Sequence, residues 1–132
     1  MPAQILELCN TVETCYEFML AYAAQGQRGD EGGQAGGQIR EFLQRAATAI
    51  ERLPERCSEL LEQEGLRPNE KYRSFFEVLD HDARNSLAAI ELVLAQASIS
   101  SQLVDNLNAS IHLRALLTDL FLVGELLSSQ AC

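Results

Sequence analysis

Basic residues are scarce in this chain of 132: ten Lys and Arg stand against nineteen Asp and Glu, a formal net charge of −9. That excess of negative charge argues against duplex nucleic acid or an anionic membrane surface as the main partner, because both are held through clustered cations. No uninterrupted apolar stretch approaches the roughly 20 residues that a membrane-spanning helix needs. The opening run Met1-Pro2-Ala3-Gln4-Ile5-Leu6-Glu7 lacks the basic segment that begins a signal peptide, so a cytoplasmic location is the expectation. The four cysteines, Cys9, Cys15, Cys57 and Cys132, form no C-x-x-C pair and have no histidine nearby, which leaves no case for sulfur-bound zinc or a thioredoxin-like motif. Cys9, Cys15 and Cys57 fall in or beside apolar stripes, where a reduced thiol behaves as a small hydrophobe. Cys132 comes three positions too late for a prenylation box. The paired Glu-x-x-His motifs of a di-iron bundle are missing as well, since Glu77 and His81 are four apart and have no counterpart. Neither a metal nor a cofactor is expected.

A chain of this length suits one domain, 1–132, and can bury roughly two-thirds of its unfolded surface without a disulfide or a metal. Six of its eight glycines, Gly26, Gly29, Gly32, Gly33, Gly36 and Gly37, lie in one polar stretch. That density opposes both helix and strand, and without a G-K-[ST] ending or a leading strand it is no phosphate cradle. The expectation is a flexible, dispensable loop over 24–38. Before it, Ile5, Leu8, Cys9, Val12, Cys15, Tyr16 and Met19 recur at helical spacing. After it, Leu43, Ala46, Ile50, Leu53, Cys57 and Leu60 alternate by three and four along a long second helix that Pro54 should bend without breaking. Gly65 offers an end for that helix, and Pro68-Asn69 a start for the next.

A third helix is expected from about Lys71 to Ala97, with Ser98-Ile99-Ser100-Ser101 supplying a short connection and a capping hydroxyl. The fourth, from about Gln102 to Leu127, carries Leu103, Leu107, Ile111 and Phe121 on one side, and Leu113, Leu116, Leu120, Val123 and Leu127 on nearly the opposite side. With no strand-period run, the pattern predicts an all-α antiparallel four-helix bundle of two helical hairpins joined by loops. The two apolar sides of the fourth helix point to a homodimer.

On the third helix, His81 stands directly opposite Tyr72, Leu79, Ala83 and Ile90 and therefore faces away from the core. Ser74, Glu77, Arg84, Asn85 and Ala88 share its side, and Asp80 and Asp82 flank it. A solvated neutral imidazole beside a carboxylate is nucleophilic at cytoplasmic pH, an arrangement suited to reversible phosphorylation. His112, the other histidine, has no such acidic flanks in sequence.

The run His81-Asp82-Ala83-Arg84-Asn85-Ser86-Leu87 resembles the H-box of histidine-kinase dimerisation and histidine-phosphotransfer domains, whose pattern is His, acidic, any, Arg or Lys, Asn or Thr, Pro, Leu. Leu113 to Leu126 resembles the second helix of the same hairpins, so the resemblance spans about 71–127. It implies that His81 takes a phosphoryl group, that Asp82 acts as acid or base beside it, and that Asn85 holds the position linked to phosphatase chemistry. It further implies exchange with the aspartate of a response-regulator receiver domain, or receipt from a sensor kinase. Ser86 departs from the usual Pro, and the chain contains no Asn-rich nucleotide box or Gly-rich lid. The expectation is thus a phosphotransferase without kinase activity of its own. The alternative is a non-enzymatic helical interaction module that retains the H-box as ancestry.

Overall fold

The computed structural model describes residues 2–30, 34–63 and 66–131. Among them are five α-helices and no strand: α1 (Pro2–Ala23), α2 (Gln34–Leu61), α3 (Asn69–Leu94), α4 (Ser101–Asn108) and α5 (Ile111–Ala131). The all-α expectation holds, and the helices pack as a bundle. α1 packs on α2, α2 on α3, α3 on α5 and α5 on α1, while the short α4 lies mainly against α1. The apolar stripes read from spacing form the core: Ile5, Cys9, Val12, Cys15 and Met19 from α1, and all six of Leu43, Ala46, Ile50, Leu53, Cys57 and Leu60 from α2, are buried. Burial pushes the Cys9 and Cys57 thiols up to about 12, which leaves them as inert apolar groups at neutral pH. α2 runs on through Pro54, with Cys57 and Leu60 still in phase beyond it.

Three expectations need correction. The fourth helix is two, α4 and α5, separated at Ala109 and Ser110. The reason is the double stripe itself: a straight helix cannot turn opposite sides to one core. Ala109 closes α4 by donating to the Asp105 carbonyl, and the Ser110 carbonyl accepts the Arg114 N–H to open α5. After this re-aiming, Val104 and Leu107 of α4 share the core with Leu113, Leu116, Leu120, Val123 and Leu127 of α5. Of the second apolar side from which a homodimer is expected, Leu107 is buried and Leu103 half-buried within the chain, whereas Ile111 and Phe121 stay exposed.

The glycine-rich segment is the second correction. α2 begins at Gln34, inside the 24–38 stretch expected to be loop, because Ile39 and Leu43 are fully buried and their packing outweighs the roughly 1 kcal/mol that a helical glycine such as Gly37 costs. Gly26 has φ +67°, the left-handed conformation that terminates a helix and that glycine adopts without steric cost. Gln27 is tied to the first residue of α4 and Asp30 to the segment before it. The Gln27 N–H donates to Ser101 Oγ at 2.8 Å, the Ser101 N–H returns a bond to the Gln27 carbonyl at 2.9 Å, and Asp30 Oδ1 accepts the Ile99 N–H at 2.7 Å. Gly32 and Gly33 lie outside the described residues, as do Gly65 and Cys132.

The third helix, finally, starts and stops two to three residues earlier than expected, at Asn69 and Leu94. Asn69 Nδ2 donates to the Leu61 carbonyl and so caps α2 as well as opening α3. Ser100 caps α4 as anticipated, accepting the Leu103 N–H at 3.0 Å.

Candidate functional site

α3 presents His81 to solvent, on the side opposite the buried Leu79, Ala83 and Ile90. Asn85, one turn on, is half-buried on the same side, and Asp80 is held by Arg84 at 3.2 Å across one turn. The outward direction read from helical spacing is therefore the direction found. No helix among the described residues is long and apolar enough to cross a membrane, so this face is not a lipid-facing one of a spanning helix.

Asp82 is turned from His81 toward α5, where its carboxyl meets that of Asp119. Asp119 is 8% exposed, and its Oδ2 is buried with no hydrogen-bond partner among the described residues. Burial first, and the Asp82 carboxylate second, raise the Asp119 carboxyl to about 7. Two carboxylates in contact cannot both ionise cheaply, so the pair holds one proton near neutrality. Asp119 was not singled out as a site residue by sequence. The available signal was an acid set among Leu116, Leu117, Leu120 and Val123, all of which are buried.

Ser86, at the position where the H-box has Pro, is fully buried and donates its hydroxyl to the His112 carbonyl at 2.8 Å. It therefore staples α3 to the first turn of α5, while the His112 side chain stays exposed. Because Asp82 meets Asp119 and Ser86 meets His112, these two helices run in opposite directions. Ser86→Ala should cost about 1 kcal/mol, the usual net worth of one hydrogen bond, read as a small fall in the denaturant midpoint. An unchanged midpoint would show that the staple adds nothing.

Three His, Cys, Asp or Glu side chains do not gather in a metal-holding group among the described residues. A groove of about 500 Å³ between α1 and α2 is lined by Arg45, Arg52 and Arg56. Glu41 and Glu59 pair with Arg45 and Arg56 at 2.7 and 3.0 Å, so much of that positive charge is neutralised on α2 itself. No protein-family model, no curated protein and no solved structure matches the chain.

Proposed function

We propose that this chain is a cytoplasmic two-component signalling protein in which His81 exchanges a phosphoryl group with a response-regulator aspartate. The carrying scaffold would be an antiparallel four-helix core of α1, α2, α3 and α5, with α4 as a connector. The observation that supports the reading is the exposure of His81 at the middle of α3, with Asn85 a turn away on the same side. In the transfer, the imidazole lone pair attacks phosphorus and the bond to the aspartyl oxygen breaks. The carboxylate departs with the electron pair, and the second ring nitrogen releases its proton to water or a nearby carboxylate. Asp80 and Asp82 flank the ring in sequence. The half-buried Asn85 would orient the phosphoryl oxygens.

The test is transfer of radiolabel from a panel of phosphorylated receiver domains. Wild type and His112→Gln should accept label and His81→Gln should not, with the melting temperature of His81→Gln within about 2 °C of wild type because the side chain faces solvent. Label retained by His81→Gln would overturn the reading. A second reading, a non-enzymatic interaction module, is favoured by the exposure of Ile111, Phe121, Leu122 and Leu126 on α5. Full biological activity of His81→Gln would select it.

A further inference from the structure

The valley between α3 and α5 has a chemistry that phosphotransfer at His81 leaves unused. Its floor holds the contact between the Asp82 and Asp119 carboxyls, and one Asp119 oxygen is buried without a donor. The four ion pairs among the described residues, Arg40 with Asp30, Arg45 with Glu41, Arg56 with Glu59 and Arg84 with Asp80, all lie elsewhere. An acceptor buried in this way forfeits its hydration, and the pair offsets that loss only by holding a proton. A cation delivered from outside would turn that cost into attraction.

The rim of the valley is apolar. Helical spacing puts Val78 and Leu92 between His81 and the α5 side of α3, and Ile111, Leu122 and Leu126 on the α3 side of α5. All five are exposed, Leu92 and Ile111 most of all at 66% and 76%. The opposite directions of the two helices set their register. Val78 falls at the end of the valley that holds Leu122 and Leu126, and Leu92 at the end that holds Ile111. Apolar side chains therefore stand about 6 Å from the acidic pair toward one end and about 15 Å from it toward the other, at 1.5 Å of rise per residue.

We infer that the valley between α3 and α5 is a docking surface for an amphipathic partner helix that sets one lysine or arginine against the Asp82 and Asp119 carboxyl pair and packs apolar side chains on either side. Charge complementarity selects this occupant, since a chain of net charge −9 steers toward basic partners. The same charge counts against a second copy, which would bring its own carboxyl pair to the carboxyl pair here. A metal ion is disfavoured by the lack of a third ligand among the described residues. Apolar flanks around a central charged anchor follow the usual layout of an interface, in which surrounding contacts exclude water from the strongest one. The docking does not depend on phosphorylation of His81, so the two readings can fail separately.

The experiment is selection of a displayed random library of helical peptides on the full chain. Enriched peptides should share one Lys or Arg, with apolar residues about one turn to one side and two to three turns to the other. A synthesised winner should bind at least tenfold more weakly to Asp119→Asn and to Leu122→Gln, and should lose at least tenfold when its basic residue becomes norleucine. His81→Gln should bind it as wild type does. Helical circular dichroism checks each fold, and Asp82→Asn, at a half-exposed position, replaces Asp119→Asn should the latter not fold. Enrichment of peptides without a basic residue, equal binding to the carboxyl variant or no enrichment at all would overturn the inference. So would a dimer in sedimentation that Leu122→Gln dissolves.

Discussion

Asp30→Ala is expected to lower the melting temperature by about 8–12 °C, from a loss of about 2–3 kcal/mol at roughly 4 °C per kcal/mol. Asp30 joins three parts of the chain. One carboxylate oxygen accepts the Ile99 N–H, and the other accepts Nε of Arg40. The remaining guanidinium donors of Arg40 reach the carbonyls of Leu94, Gln96 and Ala97 at 3.1, 2.7 and 3.2 Å, closing the C-terminal end of α3 with a positive charge. Next to this cluster, the Tyr22 hydroxyl donates to the Ile99 carbonyl at 2.6 Å and Ser101 Oγ donates to the Tyr22 carbonyl at 2.6 Å. Removing the carboxylate strands the buried Ile99 N–H and leaves a half-exposed Arg40 without its counter-charge. Asp30→Asn, which keeps an acceptor for Ile99 but not the charge, should fall between Ala and wild type. Thermal melts at pH 7 decide the matter. A change under 2 °C for Asp30→Ala would mean that the segment is as dispensable as its glycine content suggests.

This cluster separates what periodic patterns convey from what they cannot. The core-facing stripe of the second helix is legible because each of Leu43, Ala46, Ile50, Leu53, Cys57 and Leu60 reports one local fact, the direction of the core. The outward aspect of His81 followed from the same geometry, and so did the Ser100 cap, whose acceptor and donor lie three residues apart. The ties of Asp30 and Gln27 span 69 and 74 residues, and nothing near either residue announces its partner. Glycine density likewise signals freedom in the unfolded chain without saying which positions the fold spends on a specific task. Gly29 is one such position: an added Cβ would stand 2.2 Å from Ser98 Oγ, so its bareness lets the two connections meet. The break at Ala109 and Ser110 carries neither Gly nor Pro. Its trace in the sequence is the helix with two apolar sides, which marks a change in helix direction.

Asp119→Asn is expected to stabilise the protein, and by an amount that grows with pH. The Asp119 carboxyl is raised from 3.8 to about 7, so between these values the folded state keeps a proton that the unfolded state has released. Where the native state binds more protons than the unfolded state, stability falls as pH rises. The penalty is absent below about pH 4, accumulates toward pH 7 and is constant above it. Full conversion of such a shift would be about 4 kcal/mol, but water reaching the half-exposed Asp82 screens the pair, and about 1–2 kcal/mol is the expected gain. That is a rise of about 4–8 °C at pH 8 and little change at pH 4. Asp30 acts with the opposite sign: burial would raise its carboxyl, but the bonds from Arg40 and from the Ile99 N–H outweigh burial and hold it below the ordinary value. Its contribution is present above the unfolded pKa and is lost as pH falls through the folded one. The two aspartates together place the stability maximum on the acidic side of neutrality, and Asp119→Asn should shift it upward in pH. Melting temperatures of wild type and Asp119→Asn at half-unit intervals from pH 4 to 8.5 measure both effects. Parallel curves would show that the Asp82 and Asp119 carboxyls do not share a proton in the folded protein.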